Sequence, residues 1–234
     1  MIDKQKYNIK ELRGYSIALI IEYFRKNQKK KLNFFEIGSA YSKNQGISTA
    51  QLADFCYQGG HDFSTVDIAA DHTEACKAIV REVCGLDVEK NTTFYTSDSL
   101  DALKDLKSRK LAIDFAYIDG GNDPLQNLKE FQLITEMLSP EGIILVDDLQ
   151  EINAPDGYQA PRPMGKASLI VPYLILAQHK KHDAPIGFLR DFDSTFDVKN
   201  FFIQIRMLAY GPDEFLNYYK NSIKKSGTKT GIHF

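Results

Sequence analysis

The stretch NFFEIGSAYSKNQGISTAQLADFCY, residues 33–57, determines the predicted fold. It opens with an apolar run that is typical of a short buried strand. A polar loop containing Gly38 and Gly46 leads into a helix, which Ser48 or Thr49 is placed to cap. A strand, a glycine loop and a helix in this order form the ligand crevice at the carboxyl end of the first strand in open parallel sheets. The rest of the chain is expected to support a crevice at this point.

The composition is that of one α/β domain spanning residues 1–234. Of the 234 residues, 43% are hydrophobic and 26% are charged, and the formal net charge is −2. This charge gives no electrostatic reason to expect nucleic acid or an anionic membrane as a partner. The 3 cysteines contain no CxxC spacing, and the sequence has neither a signal-peptide core nor a run of about 18 apolar residues. We therefore expect a cytoplasmic protein.

Strand and helix patterns alternate five times, which predicts a parallel sheet with helices on both faces. After the first strand, the predicted strands cover residues 65–68, 91–96, 113–118 and 143–146, with a turn at 139–142. A helix at 168–182 follows, and then two strands at 186–189 and 201–207 that are able to form an antiparallel pair. The flanking parts are predicted as a helical cover at 1–31, a variable loop at 149–166 and a loose tail at 220–234.

Each of the five predicted parallel strands has an acidic residue at or just past its carboxyl end. In chain order these residues are Glu36, Asp67, Asp98, Asp119 and the pair Asp147 and Asp148. In dinucleotide-binding folds, an acidic residue that ends the second strand accepts hydrogen bonds from the ribose hydroxyls, which makes Asp67 the first candidate for a ligand contact. The alternative for Asp67 and Asp98 is that each caps the following helix, as we expect Asp71 to do.

Five strand-helix units followed by a helix and a hairpin resemble the class I S-adenosylmethionine-dependent methyltransferases, from about residue 33 to residue 207. Within that superfamily, YIDGGN (residues 117–122) and GIILVDD (residues 142–148) resemble the cation-dependent O-methyltransferases. These include catechol and caffeoyl-CoA enzymes and bacterial enzymes acting on sugars and antibiotic precursors. The resemblance implies a Rossmann-like, seven-stranded, mostly parallel sheet with a C-terminal antiparallel hairpin.

The resemblance also implies S-adenosylmethionine as the cofactor. The loop that begins at Glu36 and Gly38 would hold the methionine part, Asp67 the ribose, and Asp98 with its neighbours the adenine. The complete implied set of cofactor-binding residues is Glu36, Gly38, Ser39, Gly46, Ser48, Asp67, Ile68, Ser97, Asp98, Ser99 and Asp119.

By the same resemblance, Asp119, Asp147 and Asp148 would be the ligands of magnesium or another divalent cation. A hard divalent ion prefers carboxylate oxygens, and by binding two vicinal substrate oxygens it lowers the pKa of a hydroxyl group. Three neighbouring carboxylates repel one another unless a cation or a shifted pKa compensates them. The alternative is that Asp119 and Asp147 hold loop backbone while Asp148 is solvated.

Two features depart from the family pattern. Gly38 and Gly46 are eight residues apart, a longer spacing than is usual in the family. Asn122 stands where the family often has lysine or histidine, and an amide cannot take a proton at neutral pH. Either the metal alone activates the hydroxyl, or a base comes from Asp123, Lys166 or Asp148, or the reaction has been lost. The implied catalytic residues are Asp119, Asp148, Asn122 and Lys166.

The expected function is therefore methyl transfer to a hydroxyl of a small sugar-like, polyhydroxylated or catechol-like molecule. An NAD(P)-dependent oxidoreductase or epimerase is the first alternative, although no GxGxxG follows the first strand. A non-catalytic S-adenosylmethionine-binding protein is the second. An aromatic stripe near the C-terminus favours core packing, a covered sheet edge or a homodimer contact, and its members are Tyr210, Phe215, Tyr218 and Tyr219.

Overall fold

Seven strands form one sheet in the computed structural model. They are β1 (Asn33–Ile37), β2 (Asp62–Asp67), β3 (Thr92–Thr96), β4 (Ile113–Ile118), β5 (Leu138–Val146), β6 (Phe201–Gln204) and β7 (Met207–Tyr210). The strand order is β3-β2-β1-β4-β5-β7-β6. Strands β1 to β5 pair in parallel, whereas β7 is antiparallel to both β5 and β6. The predicted Rossmann-like sheet with its C-terminal antiparallel hairpin is confirmed.

The structure describes most of the chain but not all of it. The described residues are 12–27, 30–39, 48–121, 123–147, 166–170, 172–174, 201–204 and 207–225. The predictions for Gly46, Asn122, Asp148, the loop at 149–165 and the strand at 186–189 concern positions outside these ranges. Among the described helices, none is long and apolar enough to cross a membrane.

Helices cover both faces of the sheet. They are α1 (Leu12–Asn27), α2 (Ser48–Gly59), α3 (Ala70–Cys84), α4 (Leu86–Asn91), α5 (Ser99–Ser108), α6 (Pro124–Met137) and α7 (Asp213–Lys225). Because successive strand residues point to opposite faces, Phe34 and Phe115 pack with α1, α2, α3, α4 and α7, and Phe35 and Ala116 pack with α5 and α6. Each face of the sheet therefore has its own hydrophobic core beneath a layer of helices, and the functional edge of the sheet lies between these two layers.

Several boundaries differ from the predicted ones because pairing extends the strands. Strand β2 begins at Asp62, and residues 62–66 pair with β1, so Ile68 lies just past the strand. The predicted turn at 139–142 is part of β5, which starts with Leu138 opposite Ile113 and then shifts register. The hairpin is made within 201–210, because the segment predicted as one strand contains β6 and the first residue of β7. Helix α4 was not predicted.

Helix α7 also differs from the prediction, since it continues through residues 220–225 of the predicted loose tail. Its apolar side chains are buried against α1 and the sheet, and Phe215, Tyr219 and Ile223 are all fully buried. The Tyr219 hydroxyl donates to Ser16 Oγ at 2.7 Å or accepts from it, which ties α7 to α1. Tyr210 is buried as well. For these aromatic residues the core-packing interpretation is confirmed.

Gly38 lets the loop after β1 lie directly against the loop after β4. Its φ of +88° is in the region that glycine adopts without steric penalty. A Cβ at this position would lie 2.3 Å from the carbonyl oxygen of Asp119 and 2.7 Å from the Gly120 nitrogen. Because both neighbours are backbone atoms, neither can move aside as a flexible side chain would. The glycine is therefore required by the fold itself, before any ligand is considered.

We predict that Gly38→Ala destabilises the fold far more than Gly60→Ala. Gly60 also has a positive φ, +67°, but a Cβ there meets nothing within 4 Å. The Gly60 variant should lose about 1 kcal/mol from backbone strain alone. The Gly38 variant should lose roughly 2 kcal/mol more because of the added overlap. Urea denaturation of both variants measures the difference, and equal losses would contradict the close contact.

Candidate active site

Backbone hydrogen bonds continue past the strand ends and fix the acidic residues side by side. The Gly38 N–H donates to Val66 O at 2.9 Å, and the Asp119 N–H donates to Ile37 O at 2.8 Å. Beyond these, Ser97 N–H donates to the carbonyl of Asp67, and Asp147 N–H to that of Ile118, at 3.1 and 3.0 Å respectively. The carboxyl ends of β1 to β5 therefore meet along one edge, as the sequence predicts.

Glu36 is the buried centre of a hydroxyl network beneath α2. Its carboxylate accepts from Ser48 Oγ at 3.0 Å, from Thr49 Oγ1 at 2.6 Å and from Thr65 Oγ1 at 2.9 Å. The Ser39 hydroxyl lies 2.9 Å from that of Thr65 and extends the network into the glycine loop. Ser48 and Thr49, predicted as caps, lie inside the first turn of α2 and donate to Glu36. Glu36 thus joins the start of α2 to β1 and β2.

Burial raises the pKa of Glu36 to about 7. The hydrogen bonds from Thr49, Thr65 and Ser48 oppose this effect, and the negative charge of Asp119 adds to it. The residue is fully buried, and desolvation of a carboxylate outweighs three neutral hydrogen bonds. Glu36 is therefore able to change its charge near neutral pH.

Asp67 lies at the end of β2 and is partly accessible to solvent. Both observed contacts of its carboxylate involve the same oxygen, Oδ1. Oδ1 accepts from the Ala69 N–H at 2.9 Å and lies 3.3 Å from His72 Nδ1. The expected cap at Asp71 is wrong, because Ala69 occupies the N-cap position of α3 without a side-chain cap and Asp71 lies in the first turn. The side chain of Ile68, next to Asp67, is 73% exposed. An acid and an exposed apolar side chain thus stand together at this strand end.

Asp98 caps α5, so the alternative given for this residue is correct. Its Oδ1 accepts from the Leu100 N–H at 2.8 Å. The two serines beside it are also engaged, since Ser97 Oγ donates to the Asp98 carbonyl at 3.2 Å and Ser99 Oγ donates to Glu130 Oε1 on α6. The Ser99 hydroxyl therefore points to α6, and its predicted adenine contact would have to come from the backbone.

Asp119 and Asp147 converge on one buried tyrosine. Tyr117 Oη lies 2.9 Å from Asp147 Oδ2 and 3.3 Å from Asp119 Oδ2. Both carboxylates follow parallel strands that are adjacent in the sheet, and Asp147 is 3% exposed. Sequence reasoning missed Tyr117, although its position two residues before Asp119 places it on the same side of β4.

Lys166 supplies the positive charge at this carboxylate pair. Its Nζ lies 2.7 Å from Asp119 Oδ1, and the Lys166 and Asp119 side chains are only 3% and 12% exposed. The structure therefore brings the predicted catalytic residues Lys166 and Asp119 into direct contact. A second proposed base, Asp123, is instead the N-cap of α6, where its Oδ1 accepts from the Leu125 N–H at 2.9 Å.

The residues present fit a divalent cation in part. Two carboxylates converge, and carboxylate oxygens are the donors that magnesium prefers. Across the described residues, no group of three or more histidine, cysteine, aspartate or glutamate side chains is arranged to hold a metal. The predicted third ligand, Asp148, is outside the described ranges, and an ammonium group already contacts Asp119 Oδ1. A cation at this site would have to share or displace that contact.

Gln51 is a buried polar residue that sequence reasoning missed. It is 2% exposed, and neither its Oε1 nor its Nε2 has a hydrogen-bond partner in the described structure. One helical turn later, Phe55 packs on Phe34 of β1 and lies under the Arg25 guanidinium of α1. Residues four apart share a helix face, so Gln51 faces α1 at the end of α2 nearest the carboxyl edge of the sheet. Unpaired buried amides are costly and often have a functional reason.

Comparison with known proteins agrees with this fold. Residues 35–149 match the family model described as "Methyltransferase domain". No curated protein matches the chain. An O-methyltransferase from Bacillus cereus in complex with SAH is 16% identical with a TM-score of 0.56, covering 84% of this chain and 80% of that chain.

Two further solved structures share the fold. The O-methyltransferase TomG from Streptomyces achromogenes, involved in tomaymycin synthesis and in complex with SAM, is 16% identical with a TM-score of 0.56, covering 85% of this chain and 79% of that one. The methyltransferase MycE from the mycinamycin biosynthetic pathway, in complex with Mg, SAH and mycinamycin VI, is 15% identical with a TM-score of 0.55. That match covers 82% of this chain and 47% of MycE.

The sheet order and the matched domain define the class of protein, which is a class I methyltransferase. That family model matches 115 of the 234 residues, a little under half of the chain. The prediction of a methyltransferase is confirmed, and this result disfavours the oxidoreductase alternative.

The raised pKa of Glu36 predicts a defined pH dependence of stability. Because the folded-state pKa is about 7 and the ordinary value is 4.5, the folded state loses stability relative to the unfolded chain as the pH rises through this window. The loss should be about 3 kcal/mol at most. Glu36→Gln removes this pH dependence. Between pH 4.5 and pH 8, urea denaturation should therefore show the free energy of unfolding of the variant rising by that amount relative to the wild type. A difference independent of pH would contradict the burial effect.

Replacing Gln51 by leucine should stabilise the protein, because the substitution removes an unpaired buried amide at similar volume. We expect the free energy of unfolding to rise by about 1 kcal/mol or more. Gln126→Leu is the matched control, since the Gln126 amide donates to Ser99 Oγ at 3.1 Å and its loss should destabilise the fold. Denaturant unfolding of the two variants measures both effects. A Gln51 variant that is less stable than the wild type would show that the amide is satisfied.

Proposed function

We propose that this chain is an S-adenosylmethionine-dependent O-methyltransferase that acts on a hydroxyl of a small molecule with the help of a divalent cation. The observation that supports it most directly is the row of acidic side chains along the carboxyl ends of β3, β2, β1, β4 and β5, in that spatial order. This arrangement offers cofactor contacts on one side of β1 and cation contacts on the other.

The cofactor half of the proposed site runs from the loop after β1 to the start of α5. Asp67 would accept hydrogen bonds from ribose hydroxyls through Oδ2, because its two observed contacts use Oδ1. Ile68 would pack its exposed side chain on the nucleoside. The backbone after Gly38 and the N-terminus of α2 would hold the methionine part, with the Glu36 network keeping them in place. When bound, S-adenosylmethionine supplies an electrophilic methyl group on its sulfonium.

Some of the predicted cofactor-binding residues have side chains that contact other protein groups, so their proposed effect on the cofactor is indirect. The hydroxyls of Ser39 and Ser48 belong to the Glu36 network, and that of Ser99 is directed at Glu130. Their proposed contribution is to fix the loop after β1 and the start of α5. Gly46 remains a proposed loop contact, and Ser97 and Asp98 remain the proposed neighbours of the adenine.

The acceptor half of the proposed site is built from Asp119, Asp147 and Asp148. Tyr117 holds the first two of these carboxylates toward each other, so their oxygens are already gathered before any ligand arrives. A divalent cation at these oxygens would lower the pKa of the acceptor hydroxyl. The proton would then pass to a base in this region. Asp148 remains a proposed candidate, Lys166 would serve only after its ammonium has lost a proton, and Asn122 is limited to hydrogen bonding.

The proposed acceptor is a small sugar-like, polyhydroxylated or catechol-like molecule. A cation held by carboxylates selects an acceptor with two adjacent oxygens, and the formal net charge of −2 provides no general attraction for nucleic acid. TomG and MycE belong to pathways that make small molecules, tomaymycin and mycinamycin. We extend that acceptor class to this chain. A cytoplasmic location and a homodimer also remain predictions.

Cofactor binding provides the first test of the proposed function. Calorimetric titration of S-adenosylmethionine should show binding, and Asp67→Asn should weaken it about tenfold, the effect of one lost charged hydrogen-bond partner. Asp101→Asn is the matched control, because Asp101 is an exposed acid on α5 paired with Lys104. No binding to the wild type, or equal weakening by the two variants, would count against the cofactor assignment.

Turnover provides the second part of the test. Formation of S-adenosylhomocysteine should be followed over a panel of catechols, sugars and other vicinal diols, with magnesium and again with EDTA. Turnover only with magnesium supports the cation-assisted reaction. Cofactor binding without turnover across the panel would support the non-catalytic alternative.

A further inference from the structure

Lys166 is held in the protein interior by an ion pair and by the packing of its own segment. The residue is 2% exposed and its ammonium lies 2.7 Å from Asp119 Oδ1. The residues after it pack on α6, with Ala167 and Ile170 fully buried and the Tyr173 ring 6.5 Å from that of Phe131. The backbone of Lys166 is therefore anchored beside α6, and only its long side chain reaches the carboxylates.

Glu130, the residue before Phe131 on α6, offers a second acceptor for this ammonium. Glu130 is 1% exposed, and its Oε1 accepts from Ser99 Oγ and from Gln126 Nε2. Its other oxygen, Oε2, is buried and has no hydrogen-bond partner in the described structure. Burial raises the pKa of Glu130, and the nearby charge of Lys166 acts in the opposite direction. Glu130 thus has a buried oxygen without a donor, and it lies on the helix against which the segment after Lys166 packs.

We propose that Lys166 is an internal competitor of the divalent cation, and that its ammonium moves from Asp119 to Glu130 Oε2 when a cation binds at Asp119 and Asp147. This inference rests on the cation site of the proposed function. In the observed position the ammonium neutralises Asp119 and contacts an oxygen that a cation would use. In the second position it completes the hydrogen bonding of Glu130 and leaves Asp119 to the cation.

The two positions make opposite predictions for two substitutions. Removing the ammonium takes away its contact with Asp119 Oδ1 and also removes a repelling charge, so cation binding becomes tighter. Replacing the Glu130 carboxylate by a neutral amide leaves the displaced ammonium without a negative partner in a buried place, so cation binding becomes weaker. The second effect requires Lys166 to be present, whereas a simple loss of negative charge near the site would act with or without it.

The test titrates Mn²⁺ alone into the protein, by calorimetry or by the electron paramagnetic resonance of free Mn²⁺. Lys166→Met should bind Mn²⁺ at least tenfold more tightly than the wild type, and Glu130→Gln should bind it severalfold more weakly. The double variant should match Lys166→Met. Glu136→Gln is the control on α6, because Glu136 is exposed and pairs with Lys107, and it should bind as the wild type does. Asp119→Asn should abolish binding, which locates the ion.

Each of the contrary results would overturn the proposal. These are equal Mn²⁺ affinity in Lys166→Met and the wild type, equal weakening by Glu130→Gln in both backgrounds, unchanged binding in Asp119→Asn, and no Mn²⁺ binding to either the wild type or Lys166→Met. Circular dichroism and thermal unfolding of every variant show that it is folded. Titration of S-adenosylhomocysteine into the same samples reports on the cofactor site separately, so failure of the methyltransferase proposal is distinguishable from failure of this one.

Discussion

The direct contact between the loops after β1 and β4 is the constraint on which the site depends. At Gly38 the two backbones approach so closely that a Cβ would lie 2.3 Å from a carbonyl oxygen. Because Asp119 provides that carbonyl, the same contact fixes the start of the loop that carries its carboxylate. Glu36, two residues before Gly38, fixes the other side through the start of α2. The two halves of the proposed site are thus joined by backbone, with no side chain between them.

Acidic side chains are able to crowd this edge because Glu36, Asp67, Asp98 and Asp119 are each compensated locally. Glu36 is buried with a pKa raised to about 7, whereas Asp98 accepts from a helix N-terminus. Asp67 is held by a backbone N–H and His72. Asp119 has an ammonium partner. Mutual repulsion would otherwise destabilise such a cluster, so the fold is able to gather acids at one edge with the charges of its own chain.

The sequence predicted those parts of the fold that depend on local patterns. Apolar runs identified β4 to the residue, and the position of Asp67 and Asp119 after such runs placed both at the functional edge. Features set by tertiary pairing escaped prediction. Residues 139–142 have turn composition but pair within β5, and Gln51 and Glu130 are polar residues that helical periodicity would assign to solvent. Their burial follows from how α2 meets α1 and how α6 meets α5, which no local pattern encodes.

Lys166 links the region after β5 to the chemistry at the edge. Its segment is held on α6 by apolar packing, so the ammonium reaches Asp119 from a fixed origin. A buried ammonium beside a carboxylate is stable only while both charges are paired, and removing either one leaves an uncompensated charge. A cation that takes Asp119 must therefore provide, or coexist with, a new partner for Lys166. Glu130 Oε2, buried without a donor in the described structure, meets that requirement on the helix where the lysine segment packs.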